Sequence, residues 1–440
     1  MSSAASQPTS IDVNPLPATG NGRPDREFRV LFCSWSELNV ASGTPVIVCD
    51  ILRHFAPADA EVLVEENADQ KRRRETELQH PVHKYRLHAR LWPFARGHRI
   101  RNRLARLGLP VLIGQMVARI RKFKPDCIYA IYAQQHWILA AWIASRLTGV
   151  PLIYHIHDAF LEGNERRQRS RFAAWLERRT LTSTRVLALD DHMAEHYERH
   201  YGIQCTILRH VVRYAALPAR RNPVGGELHV FDRSHFPGQA RPITIGFAGA
   251  IYDSNSRQLA ELCRLVEADS SLRLKIWTGS AVEFEALGIY GPRVESSFEA
   301  NYERLLAHLA GCDLLYLPLQ FSNGAQLAAQ AMALSLPTKS FDYALSGVPI
   351  LVHCPEDFAL SRFFVRNGCG HVLNDPTIEA VREWIDQWRT GKIPEVDEQA
   401  RLKTLALFTP EKNKRVLWGV LGEEVDRVRR RKLRGRSQST

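Results

Sequence analysis

Lys339 and Asp342 stand three residues apart in the stretch PTKSFDYALSGVPIL, directly behind Pro337 and Thr338. An apolar helical stripe follows them, then Gly347, Pro349 and a short strand pattern. A helix N-terminus offers free N–H groups and the positive end of the helix dipole, which together bind phosphate. Thr338 can cap such a helix, and Lys339 adds a mobile cation suited to a diphosphate. Asp342, one turn further in, can accept hydrogen bonds from two vicinal hydroxyls, as carboxylates do from ribose. An exposed local Lys–Asp pair would have the same spacing, and such pairs contribute little to stability. Spacing alone leaves both readings open.

Three further stretches carry residues suited to chemistry. In YHIHDAF a strand pattern ends on His157 and Asp158. Alternation along a strand puts His155 and His157 on one face and Asp158 on the other. His157 is either a group at the edge of a cleft or a neutral core histidine. In NVASGTPVIV, Gly43 lies in a turn before a helix and would let a ligand approach the backbone closely. ITIGFAGAIY runs from a strand into a glycine turn at Gly249, with Arg257 just beyond. Asp190 and Asp191 sit where a helix begins and read as caps rather than metal ligands. The eight cysteines are scattered, none in a Cys-x-x-Cys pair. They behave as small buried hydrophobes of a reducing compartment.

Those positions need a scaffold, and the order of elements supplies one. Short apolar strands alternate with amphipathic helices: FRVLFCSW, AEVLVEE, PDCIYAIYA, VPLIYHIHDAF and TRVLALDD in the first half. ITIGFAGAIY, LRLKIWTG, CDLLYLPL and VPILVH follow in the second. Such alternation implies parallel sheets covered on both faces. Residues 213–241, with several prolines and glycines, break the pattern and read as a linker or insertion. The expected fold is α/β, with two Rossmann-like doubly wound domains facing a cleft. They would span residues 26–212 and 242–408, after a flexible tail over 1–25. A crossing helix with a basic tail would occupy 409–440. Open parallel sheets bind ligands beyond the C-terminal ends of their strands, so a site shared between the halves is expected.

The 440 residues carry a formal net charge of +12. An excess of that sign favours an anionic partner. It is concentrated: residues 78–125 hold twelve lysines and arginines and no acid. Interleaved Leu87, Leu91, Trp92, Phe94 and Ile100 suit the surface of an anionic bilayer. A solvated helical face is the plainer alternative. No nucleic-acid-binding module pattern accompanies the charge, so nucleic acid is the least favoured partner. The N-terminal residues lack the apolar core of a secretory signal, and no run is long enough to cross a membrane. These features point to the cytoplasm, with peripheral contact to the inner face of the cytoplasmic membrane.

The stretch around Lys339 resembles the C-terminal signature of two-Rossmann (GT-B) glycosyltransferases, in the large retaining family 4 group. Pro337, Thr338, Lys339, Asp342, Tyr343, Gly347 and Pro349 match its pattern. YHIHDAF is similar to a His-Asp pair that the family places at the cleft edge. The resemblance extends in element order from about Phe28 to Leu421. It implies a nucleotide-diphosphate sugar as donor, with Asp342 on the ribose and Thr338, Lys339, Gly43, Gly249 and Arg257 around the diphosphate. His157 and Asp158 would lie at the reacting centre. It implies transfer to a lipid-linked or cell-envelope polysaccharide acceptor, with no cofactor and no bound metal. Leu334 replaces the first of two carboxylates in the fuller signature, and the usual basic pair after the first strand of the second domain is absent. A non-catalytic or regulatory protein of the same fold, or a sugar-nucleotide epimerase, would share the remaining features.

Overall fold

The structure, a computed structural model, describes residues 27–39, 43–66, 78–86, 98–132, 134–161, 170–212, 241–280, 283–321, 332–334 and 336–437. The expected tail over 1–25, the segment 213–240 and the aromatic part of the basic stretch, 87–97, lie outside the described residues.

Thirteen strands form two sheets among the described residues, all of whose pairings are parallel. The first contains β1 (Val30–Ser34), β2 (Ala60–Glu65), β3 (Val82–Tyr85), β4 (Cys127–Tyr132), β5 (Leu152–Ile156), β6 (Arg185–Ala188) and β7 (Cys205–Ile207). Its order is β3-β2-β1-β4-β5-β6-β7. The second contains β8 (Ile243–Ala248), β9 (Leu272–Trp277), β10 (Val294–Ser297), β11 (Leu314–Pro318), β12 (Ile350–His353) and β13 (His371–Leu373). Its order is β10-β9-β8-β11-β12-β13. Each sheet winds outward in both directions from a central pair, β1/β4 and β8/β11. This is the doubly wound arrangement, and its crevice opens where the order reverses.

The central strands are buried along their whole length, as in β1 and β4. Side chains on both faces of such a strand must be apolar, which explains the unbroken runs in the sequence. The first domain carries helices α1 (Gly43–Leu52), α2 (His98–Phe123), α3 (Gln135–Thr148), α4 (Arg171–Leu181) and α5 (Asp191–Tyr201). The second carries α6 (Ser256–Ala268), α7 (Tyr302–Ala310), α8 (Lys339–Ser346), α9 (Ala359–Asn367), α10 (Ile378–Arg389) and α11 (Glu398–Leu405). Asp190 caps α5 through a bond from the Met193 N–H at 2.9 Å, as its position implied. The cysteines are all free, and seven of the eight are buried. The edge strands β3 and β10 are short, and of their residues only Tyr85 is buried.

The last helix, α12 (Pro410–Ser437), returns to the first domain. Leu417, Val420, Leu421 and Val425 join the core cluster of Phe28, Val30, Phe55 and Val62. Trp418 tilts against Phe55 at 4.8 Å between centroids, and Asn413 Oδ1 lies 2.9 Å from His54 Nε2. Leu421 is fully buried. Leu421→Ala is therefore expected to destabilise the first domain by about 2–5 kcal/mol, the usual cost of emptying a core site. A urea midpoint equal to that of the parent would contradict this packing.

The two passages between domains lie side by side. The Val212 N–H donates to the Phe408 carbonyl at 2.9 Å. His210 packs on Phe341 of α8 and on Phe408, at 4.2 and 5.5 Å between centroids. Burial lowers the His210 pKa to about 3. The neutral ring serves as an apolar wedge where the domains meet.

Candidate active site

Two helix N-termini from different domains converge. α1 begins at Gly43, directly beyond β1, and α8 begins at Lys339, behind Thr338. A Cβ placed on Gly43 would lie 3.5 Å from Thr338 Oγ1. Thr338 was expected to cap α8 through its hydroxyl. Instead its backbone is already helical, at φ −56 and ψ −32, and its side chain makes no cap bond. A residue with helical torsions turns its hydroxyl away from the N–H groups it would cap; here the hydroxyl faces Gly43. Each helix end carries about half a positive charge, so the surface beside this contact is suited to an anion.

Lys339 reinforces that field. The residue as a whole is partly buried, but its ammonium lies 4.1 Å from the ring centroid of Phe247, which is fully buried. The surroundings of the ammonium govern its pKa, and burial lowers it from 10.5 to about 7. The stem runs past Gly249, where a Cβ would stand 3.2 Å from Lys339 Cδ. Gly249 also has φ +130, a region that residues with a Cβ rarely enter. Gly249→Ala is therefore expected to displace Lys339 and to cost about 1–3 kcal/mol in backbone strain. Unchanged thermal stability and anion affinity in that variant would count against this placement.

Helix α8 is held on three sides. The Ala248 N–H donates to the Tyr343 hydroxyl at 2.7 Å, tying the helix to the end of β8. Arg401 Nη1 donates to the Ala344 carbonyl at 2.6 Å. The Tyr302 hydroxyl, from the start of α7, donates to Asp342 Oδ1 at 2.6 Å. Gly347, at φ 75, ends the helix in the left-handed conformation common at helix C-termini. Ser340, in the first turn, is fully buried, and its hydroxyl has no hydrogen-bond partner among the described residues.

In the first domain His157 is buried, with both ring nitrogens engaged. The tautomer of His155 follows from its partner. The Leu208 carbonyl can only accept, so His155 donates to it from Nε2, at 3.1 Å. His155 Nδ1 then accepts from the Tyr129 hydroxyl at 2.6 Å, and His157 Nε2 lies 3.0 Å from the same nitrogen. His157 Nδ1 lies 3.3 Å from Thr44 Oγ1. Burial holds His155 near pKa 3. Burial first, then the neighbouring His155 and His210, keep His157 well below its ordinary value. The pair stays neutral and positions Thr44 in the first turn of α1. Asp158 lies in the bend just beyond β5 and is exposed to solvent. Protein nonetheless crowds it, as on the floor of an open cleft, and raises its pKa. Tyr252, just beyond β8 in the second domain, has its hydroxyl pKa raised by burial and by the charge of Asp158. The charge of Asp158 is thus felt by Tyr252 across the two domains.

Arg257 stands apart from this cluster. Its guanidinium pairs with Glu261 at 3.1 Å on the exposed side of α6. It lines a surface pocket with Arg264 and Arg382 at the start of α10. Leu334 is partly buried in a turn. Among the described residues no group of three or more His, Cys, Asp or Glu could hold a metal ion. Sequence reasoning missed Thr44, Tyr129, Tyr252 and Tyr302. Each enters through a contact between distant elements, for which one chain carries no local signal.

Two doubly wound domains that face each other, with helix N-termini meeting between them, make up the GT-B architecture. Residues 42–231 match the glycosyl transferase 4-like domain. The chain therefore has the two-domain GT-B architecture, and the glycosyl transferase 4-like match falls mainly on its first domain. The comparison with curated proteins gives no match. Among solved structures, the sucrose-phosphate synthase of Thermosynechococcus elongatus superposes with a TM-score of 0.63 at 13% identity, covering 90% of this chain and 99% of that one. HepE of Anabaena in complex with UDP gives 0.59 at 14%, covering 90% and 100%. A UDP-forming trehalose-phosphate synthase from Burkholderia xenovorans gives 0.54 at 14%, covering 91% and 99%. Likeness at these identities is likeness of fold.

Proposed function

We propose that the chain transfers a sugar from a nucleotide-diphosphate donor bound between Gly43 and α8. The observation that carries this is the convergence of the α1 and α8 N-termini, with Lys339 and Asp342 on the same short helix. The Ser340 and Phe341 N–H groups already donate to the Pro337 and Thr338 carbonyls, so the diphosphate lies against the positive end of the α8 dipole and the Lys339 ammonium. Asp342 accepts from the ribose hydroxyls. Breaking the bond from the sugar carbon to the phosphate oxygen leaves growing negative charge on the diphosphate. Donors already aimed at that position stabilise it without reorganising. The positive field is supplied by the chain itself, so the reading needs no bound metal. Asp158 stands near the sugar, where a carboxylate steadies developing positive charge at the reacting carbon. His157 acts through Thr44 by fixing the N-terminal turn of α1. The UDP carried by HepE supports a uridine nucleotide as the first donor to try.

The acceptor is proposed as a lipid-linked or cell-envelope glycan, transferred with retention at the inner face of the cytoplasmic membrane. The basic residues between 78 and 125 support that placement. No described helix is long and apolar enough to cross a membrane, so attachment would be peripheral.

The test is a panel of nucleotide sugars followed by thermal shift and by release of labelled sugar. A matching donor is expected to raise the melting temperature by linkage and to be hydrolysed slowly without acceptor. If no nucleotide diphosphate shifts melting, the donor reading fails.

A further inference from the structure

Helices α2, α3 and α4 lie on one face of the first sheet, over the core of Leu112, Ile138, Tyr132 and Leu176. Their sequences hold eleven arginines and lysines against a single acid, Glu177. Glu177 is fully buried and accepts from the Tyr201 hydroxyl at 2.6 Å. Among the described side chains the layer exposes Arg121, Lys122, Arg146, Arg171, Arg178 and Arg179, with no exposed carboxylate of its own. It also leaves large apolar side chains in water: Val111 on α2, Leu147 on α3, and Phe172 and Trp175 on α4.

Helix α4 shows the anomaly most clearly. It buries Ala173, Leu176, Thr180 and Leu181 against the core. Phe172 and Trp175 point the other way, 48% and 49% exposed. Their rings stack at 5.7 Å with 27° between planes. Arg171, Arg178 and Arg179 flank them, all exposed. Arg146 of α3 and Arg179 both lie over Trp142, at 5.5 and 6.0 Å. Half-exposed aromatics forfeit part of the burial energy their rings could supply. Two of them stacked among arginines form a surface suited to the headgroup layer of an anionic bilayer.

We infer that the α2–α3–α4 layer docks on an anionic lipid surface, with Phe172 and Trp175 as the inserted anchors. The position fits the cleft. In a parallel α/β sheet, helices start at the edge where strands end, and α4 begins shortly after Asp158. Its first turns, which carry both anchors, therefore flank the cleft mouth. A lipid-anchored acceptor would then reach the site without leaving the membrane. This deepens the acceptor reading and rests on it only for that last step.

The experiment is cosedimentation of the full chain with phosphatidylcholine vesicles, with and without phosphatidylglycerol. Binding is expected only with phosphatidylglycerol, and weaker at high salt. Phe172→Ser/Trp175→Ser and, separately, Arg178→Gln/Arg179→Gln should each weaken it about tenfold or more. All four residues are exposed, so melting and its shift by nucleotide diphosphate should match the parent. Failure of the parent chain to bind anionic vesicles at low salt would overturn the inference, as would parent-like binding by both variants. A dimer in sedimentation equilibrium that Phe172→Ser/Trp175→Ser dissolves would also overturn it, by making the layer a contact between chains. Vesicle binding is read without turnover, so its failure is distinct from failure of the donor reading.

Discussion

A Lys339→Met variant is expected to be more stable than the parent chain and to lose most of its affinity for nucleotide diphosphate. The first half follows from burial. Folding lowers the lysine pKa from 10.5 to about 7, which corresponds to at most about 4 kcal/mol at neutral pH. Solvent contact over part of the residue screens that penalty, leaving about 2 kcal/mol for methionine to recover. The unfolded chain keeps its proton up to about pH 10.5, while folded Lys339 releases it near 7. Between those values the unfolded state holds more protons, so the stability of the parent chain rises with pH across that window. In the variant this slope disappears. The second half follows from charge. A bound diphosphate raises the Lys339 pKa again, so binding takes up a proton above pH 7. Affinity should therefore fall as pH rises from 7, and removing the cation should cost roughly 10- to 100-fold. Calorimetry in two buffers of different ionisation enthalpy would detect the proton uptake. Equal nucleotide affinity in parent and variant would end the assignment of Lys339 to the diphosphate.

Asp342→Ala should lose about 10- to 100-fold in nucleotide affinity, because a charged acceptor for the ribose is removed. The structural cost is smaller. The Tyr302 hydroxyl loses a 2.6 Å bond, but Tyr302 is only partly buried, so its hydroxyl can turn to water for about 1 kcal/mol. Two comparisons separate the roles. Tyr302→Phe keeps the carboxylate and should bind nucleotide much as the parent does. A nucleotide diphosphate without ribose 2′ and 3′ hydroxyls should bind parent and Asp342→Ala alike. If the variant still prefers the complete ribose as strongly as the parent, Asp342 does not hold it.

The sheets were legible because strands buried on both faces need continuous apolar runs, and FRVLFCSW and PDCIYAIYA are such runs. The strand order, and with it the switch points at β1/β4 and β8/β11, is seen only in the structure, because order along the chain does not fix order across a sheet. β3 and β10 were missed for the converse reason: VHKY and VESS are four-residue edge strands in which only Tyr85 is buried, so no continuous apolar run marks them. In the site, Lys339 and Asp342 could be read because one short helix sets their spacing. The contacts of Tyr302 with Asp342 and of Thr44 with His157 span 40 and 113 residues. Nothing local in a chain encodes such distances. The docking layer was half legible. Its charge lay in plain view, but the aromatics that complete it are on α4, outside the basic stretch.

The return of α12 to the first domain has a consequence for biosynthesis. The sheet that is made first keeps Phe28 and Phe55 without their partners Leu417, Trp418 and Leu421 until the end of the chain leaves the ribosome. The second domain, which is continuous in sequence, can fold before that. Domains generally fold in the order of synthesis; here the early domain must wait for the late one. A nascent chain stopped before Pro410 would thus expose an apolar strip on its first domain, where a chaperone would be expected to bind.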